Sequence, residues 1–130
     1  MPDARSSISA QDTIQQLRLL ARFSTGIMRR AIRTHRILQF AAAIDRTAAD
    51  LLATDLAHRL RVQEAYVELL LVNGPLRAGL SKADAASTYS VLASPESFDF
   101  LTRRQGWTAD QFETWLAESL ISLLLAPQGL

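Results

Sequence analysis

Cysteine is absent from this 130-residue chain, so it can form neither a disulfide nor a thiolate metal site, and its redox compartment is unreadable. Histidine is almost as scarce. His35 and His58 are the only two, neither has a second histidine or a carboxylate at a convincing metal spacing, and both read as surface or capping residues. The apolar runs are short. None approaches the roughly 20 residues needed to span a bilayer, and Met-Pro-Asp-Ala-Arg-Ser-Ser at the start is not a signal peptide. These absences make the cytoplasm the default expectation, with no membrane partner. Excess charge of one sign is missing too. With 14 basic and 13 acidic residues the net charge is +1, which favours neither nucleic acid nor an acidic partner. There is no nucleophile elbow, no phosphate-binding glycine loop and no paired-carboxylate motif. The expectation is therefore no enzyme, no catalytic residue, no metal and no cofactor.

Strand-like alternation is missing as well, and helical periodicity fills its place. Hydrophobic residues make up 48% and charged residues 21%, which suits one soluble all-α domain with a single core. Residues 1–9 are polar and are expected to be flexible, the domain itself spans 10–126, and 127–130 form a tail. From about Ala10 to Arg33, Ile14, Leu17, Ala21, Met28 and Ile32 share a helical face, with Leu20, Ile27 and Ala31 at its edge and Ser24 between the two sets. Gly26 weakens this stretch as a single helix, and Thr34 is a possible cap for a short second helix carrying Ile37, Leu38 and Phe40. Asp45 suits the cap of the longest helix, which Asn73-Gly74-Pro75 would close. After a loop through Gly79, Ser81 and Asp84 open a helix that ends near Ala93.

The closing segment carries the densest punctuation. Ser94 can cap a short helix whose first residue, Pro95, gives up an N–H that would be unpaired anyway. Gly106 ends that helix. Thr108 and Gln111 then have the spacing of a capping box, and Trp107 and Phe112 that of a hydrophobic staple. The last helix, roughly Ala109 to Leu125, is apolar on two sides. Phe112, Trp115, Leu116, Leu120 and Leu123 share one, while Ala117, Ile121, Leu124 and Leu125 cover the other. On the preceding helix, Ala83, Ser87 and Ser90 make a small-residue face that lets a neighbour approach closely. Two such helices from each of two subunits can form a bundle, so Ala83, Ser87, Ser90, Ile121, Leu124 and Leu125 are the expected homodimer interface. The alternative is that both faces pack internally.

Chemistry could sit on the long helix. Its apolar stripe of Ala48, Leu52, Leu56, Leu60, Tyr66, Val67 and Leu70 is interrupted by Arg59 and Gln63, with Asp55 at the border. Asp55, Arg59, Gln63 and Tyr66 are spaced to meet along one side. Polar groups aimed at a core need partners, and a few convergent polar groups in an apolar pocket describe a small-molecule site. The candidate ligand-binding residues are Met28, Phe40, Arg59, Gln63 and Tyr66, with Phe23 and Ser24 on the same wall as Met28. The plainer alternative is an Asp55–Arg59 surface pair beside Gln63 at the core margin. Arg18, Arg22, Arg29 and Arg33 form a basic stripe on the first helix. It reads as a solvated face, because no aromatic or motif accompanies it; the alternative is a surface that holds an anion or nucleic-acid phosphates.

The run from Leu92 to Trp115, with Ala93-Ser94-Pro95-Glu96 at its start and Gly106-Trp107-Thr108 near its end, resembles a pattern of tetracycline-repressor-type (TetR family) regulators. There a "TSPE…LL…RGWS…W" pattern closes the ligand-binding and dimerisation domain. Here Ala93 stands in place of Thr, Gln105 of Arg and Thr108 of Ser. The resemblance extends more loosely back to about Ile14. It implies an all-helical bundle like the TetR C-terminal domain, a homodimer, a small apolar ligand and ligand-controlled transcriptional repression. A helix-turn-helix needs on the order of 45 residues ahead of such a domain. Only about ten precede the first core helix. No specific DNA binding is expected of this chain alone. The rival expectation is a helical protein-interaction module without a ligand, and a packed interior beside Arg59 and Gln63 would favour it.

Overall fold

The computed structural model describes residues 10–71 and 76–127. They form an all-α bundle: α1 (Ala10–Ala42), α2 (Arg46–Leu71), α3 (Lys82–Leu92), α4 (Pro95–Asp99), a π-helical turn (Phe100–Arg104) and α5 (Ala109–Leu124). The only β pairing among the described residues is an isolated bridge between Leu76 and Leu125. No helix among them is long and apolar enough to cross a membrane. The flexible segment expected at 1–9, the Asn73-Gly74-Pro75 turn, the Leu70 side chain and the tail beyond Pro127 lie outside the described residues.

The helix boundaries follow local chemistry. Asp45 caps α2, its Oδ2 accepting from the Ala48 N–H at 3.3 Å. Ser81 caps α3 through the Asp84 N–H at 3.0 Å, and Ser94 caps α4 through the Ser97 N–H at 3.1 Å. At α5 the capping box is complete: Thr108 Oγ1 accepts from the Gln111 N–H at 3.1 Å, and Gln111 Oε1 accepts from the Thr108 N–H at 2.8 Å. Gly106 sits at φ +74°, where a side chain would be strained. It lets the Trp107 N–H turn back to the Leu101 carbonyl at 2.9 Å and so close the π-helical turn. Trp107 then meets Trp115 edge-on, while Phe112 packs edge-on against Phe98.

One boundary differs from the sequence expectation. α1 runs unbroken for 33 residues, and Thr34 lies inside it rather than capping a second helix. Glycine costs a helix interior about 1 kcal/mol relative to alanine. That is too little to break a helix held on both sides of Gly26 by buried Ser24, Thr25 and Met28.

α1 and α2 form an antiparallel hairpin joined by a tight turn, in which the Asp45 N–H bonds the Ala41 carbonyl at 2.8 Å. The core lies at the open end of this hairpin. Leu17, Leu20 and Ala21 of α1, Val67 of α2 and Tyr89 of α3 pack there against Phe98, Phe112, Leu116 and Leu120. Between Met28 and Gln63, only Ala48 is fully buried. The hairpin therefore extends beyond the core, and its inner surface is left open for about half its length.

Two expectations about faces are corrected here. Leu124 and Leu125 are buried in the chain's own core, so they cannot offer a dimer surface. α5 packs against both α1 and α3, which cover parts of both its apolar sides. Leu125 is held further by the bridge to Leu76, with the Arg77 N–H on the Leu124 carbonyl at 2.9 Å. Ile121 is half-buried against the same core, whereas Leu123, expected inside, is exposed. On α2, Leu56 and Leu60 of the proposed core stripe are exposed, and among its described side chains Ala48 and Val67 are the ones buried. The helix is turned so that Gln63, and not Leu56 or Leu60, is buried.

A cleft between the α1–α2 hairpin and α3 as candidate functional site

The open half of the hairpin encloses a cleft of about 800 Å³. That volume lies within the range of small-molecule sites, roughly 300–1,000 Å³. α1 supplies one wall with Met28, Ile32 and Leu38, and α2 the other with Leu51, Val62 and Tyr66. Tyr89, Ala93 and Pro95 close the end nearest the core. The lining is mostly apolar because α1 continues its inward stripe past the point where the core stops.

Of the five ligand residues expected from the sequence, Met28, Arg59, Gln63 and Tyr66 come together in this cleft, joined by Phe23, Ser24 and Asp55. Phe40 does not. It is 78% exposed, because in the unbroken α1 it lies between the lining residues Ile37 and Ala41 but on the outer face. Phe23 and Tyr66 meet edge-on across the two walls, with ring centroids 6.2 Å apart.

Three polar features mark the interior. Gln63 is only 8% exposed, and its Oε1 has no hydrogen-bond partner among the described residues. A buried acceptor left unpaired costs about 1–3 kcal/mol, so the position is an unfavourable one for glutamine unless something fills it. Next, the Ser24 and Tyr89 hydroxyls share a hydrogen bond of 2.6 Å joining α1 to α3. Burial pushes the Tyr89 phenol above its ordinary value of 10.0 even though the Ser24 bond acts the other way, so the phenol stays neutral. Last, the His35 Nε2 is buried 3.4 Å from Glu96 Oε1, without the alignment of a hydrogen bond.

His35 and His58 both line the cleft: His35 is largely buried, contrary to its reading as a surface or capping residue, whereas His58 is solvent-exposed as expected. His35 falls on the face of Met28 and Ile32 at helical spacing. Extending that stripe through Thr34 would have found it. No group of three or more His, Asp or Glu that could hold a metal ion occurs among the described residues.

Just outside the cleft, Asp99 accepts from Arg36 Nε at 2.6 Å and from Arg103 at 3.1 Å. Burial alone would raise the Asp99 carboxyl. The hydrogen bonds and charges of the two arginines outweigh it and hold the group below its ordinary value of 3.8. This cluster ties the second half of α1 to the end of α4. The basic residues Arg18, Arg22, Arg29 and Arg33 are all exposed on α1.

No protein-family model, no curated protein and no solved structure matches this chain.

Proposed function

We propose that the chain is a ligand-binding and dimerisation domain of a TetR-type transcriptional regulator, taking a small, mostly apolar molecule into the α1–α2 cleft. The observation that carries the ligand reading is an apolar cleft of about 800 Å³ with the buried, unpartnered Gln63 on its wall. The family reading rests on the resemblance of Leu92–Trp115, in which Ser94, Pro95, Gly106 and Thr108 each hold a helix boundary. α1 lines the cleft with its second half and packs in the core with its first. A ligand that binds one spacing of the hairpin better than another would shift the population of α1 positions, which is the physical content of ligand control.

The test is a fluorescence titration with 8-anilinonaphthalene-1-sulfonate. Saturable one-site binding is expected. Ala31→Trp, at an exposed position on the cleft wall, should weaken it by at least about tenfold while the helical circular dichroism is retained. Binding that never saturates, or that Ala31→Trp leaves unchanged, would contradict the reading. The alternative of a helical interaction module draws on Phe40 and Ile44, which are 78% and 82% exposed where α1 turns into α2. It gains if the dye does not bind saturably.

A further inference from the structure

The cleft has a specific deficit, and the deficit selects a chemistry. Its lining is mostly apolar, so a molecule that fills it must present mostly carbon surface. Against that background Gln63 brings a buried carbonyl oxygen with no donor among the described residues. The other two polar features are differently placed. The Ser24 and Tyr89 hydroxyls are paired with each other, and His35 Nε2, also without a hydrogen bond, faces the Glu96 carboxylate at 3.4 Å and so has an acceptor, not a donor, as its neighbour. Gln63 Oε1 is thus a buried acceptor on the cleft wall without a donor among the described residues. A lone water could supply one, but it needs two to four polar partners of its own and would fill little of the space.

Resting on the reading of the cleft as a ligand site, we infer that its ligand is a flat or compact apolar molecule carrying an N–H or O–H group, which donates to Gln63 Oε1. Recognition then has two parts. Apolar burial between α1 and α2 supplies most of the affinity, and the Gln63 bond sets selectivity. An otherwise identical molecule without the donor leaves the glutamine oxygen buried and unpaired, and so is discriminated against.

Carbazole and fluorene are tricyclic molecules of the same outline, and only carbazole has an N–H. Equilibrium dialysis of the full chain against each should give binding of carbazole about tenfold tighter than of fluorene. Gln63→Met keeps side-chain length and removes the amide acceptor. It should bring carbazole to the affinity of fluorene, with folding verified by a circular-dichroism melt. Equal binding of the two by the unmodified chain would overturn the role of Gln63 and leave the cleft as a site. Binding of neither would overturn the cleft reading itself. The comparison on the unmodified chain decides the matter even if the variant does not fold.

Discussion

Asp99 makes the connection between α1 and α4 dependent on pH. Its carboxylate receives Arg36 from α1 and Arg103 from the π-helical turn, and together they hold it below its ordinary value despite burial. Because the folded value is depressed, this contribution to stability is fully present above the unfolded value. It is lost as pH falls through the folded one. Urea midpoints should therefore drop on acidification below about pH 4. Asp99→Asn should lower the midpoint at pH 7 and flatten that acid limb. An Asp99→Asn protein with the same acid slope as the parent would show that other carboxylates carry the effect. At the same scale, the positions of Arg59 and Gln63 on the cleft wall are legible because they interrupt an apolar stripe, and an interruption of that kind is visible in one dimension. Phe40 is not legible in this way, because its position depends on whether α1 continues past Thr34.

Individual helices show why the boundaries were easier to read than the faces. A cap is decided within four residues, and Asp45, Ser81, Ser94 and Thr108 all act as the local pattern predicts. A face is decided by whichever helix lies against it. α5 looks two-sided in sequence, and its own neighbours α1 and α3 bury Leu124 while leaving Leu123 outside. Two glycines separate local from tertiary control. A Cβ on Gly26 would meet the Arg30 guanidinium at 3.5 Å, an ordinary contact, in a helix interior. Gly26→Ala should accordingly stabilise the chain by about 0.5–1 kcal/mol. Gly106 has open space around its Cβ position but a positive φ, so Gly106→Ala should destabilise it by about 1–2 kcal/mol. Opposite shifts in denaturation midpoint are the expected result. Shifts of the same sign would mean that one of the two backbone assignments is wrong. Thr108→Ala, which removes one half of the capping box, should cost about 1 kcal/mol in the same assay.

For the whole molecule, the proposed dimer must use a surface that the folded chain leaves free. Ala83 and Ser87 are exposed on α3 and continue into exposed Val91 at four-residue spacing, while Ser90 is half-buried. On α5 the available surface is a shallow groove with Trp115, Ser119 and Leu123, in place of Leu124 and Leu125. Sedimentation is expected to show a dimer, and Ser87→Arg or Leu123→Glu should convert it to a folded monomer. Ile121→Glu is a poorer test, since Ile121 also packs on the core and its loss would weaken the fold itself. A monomeric parent chain would contradict the proposed dimer.

On the proposed reading, a small molecule enters the open half of the hairpin and not the α5 groove. The most direct measurement is an amide chemical-shift titration of the isotope-labelled chain with 8-anilinonaphthalene-1-sulfonate. Saturable shifts should concentrate on Ser24–Ala41 of α1, Asp55–Tyr66 of α2 and Tyr89–Ala93, the segments that line the cleft. Shifts centred on Trp115–Leu123 of α5, or no saturable shifts at all, would contradict it.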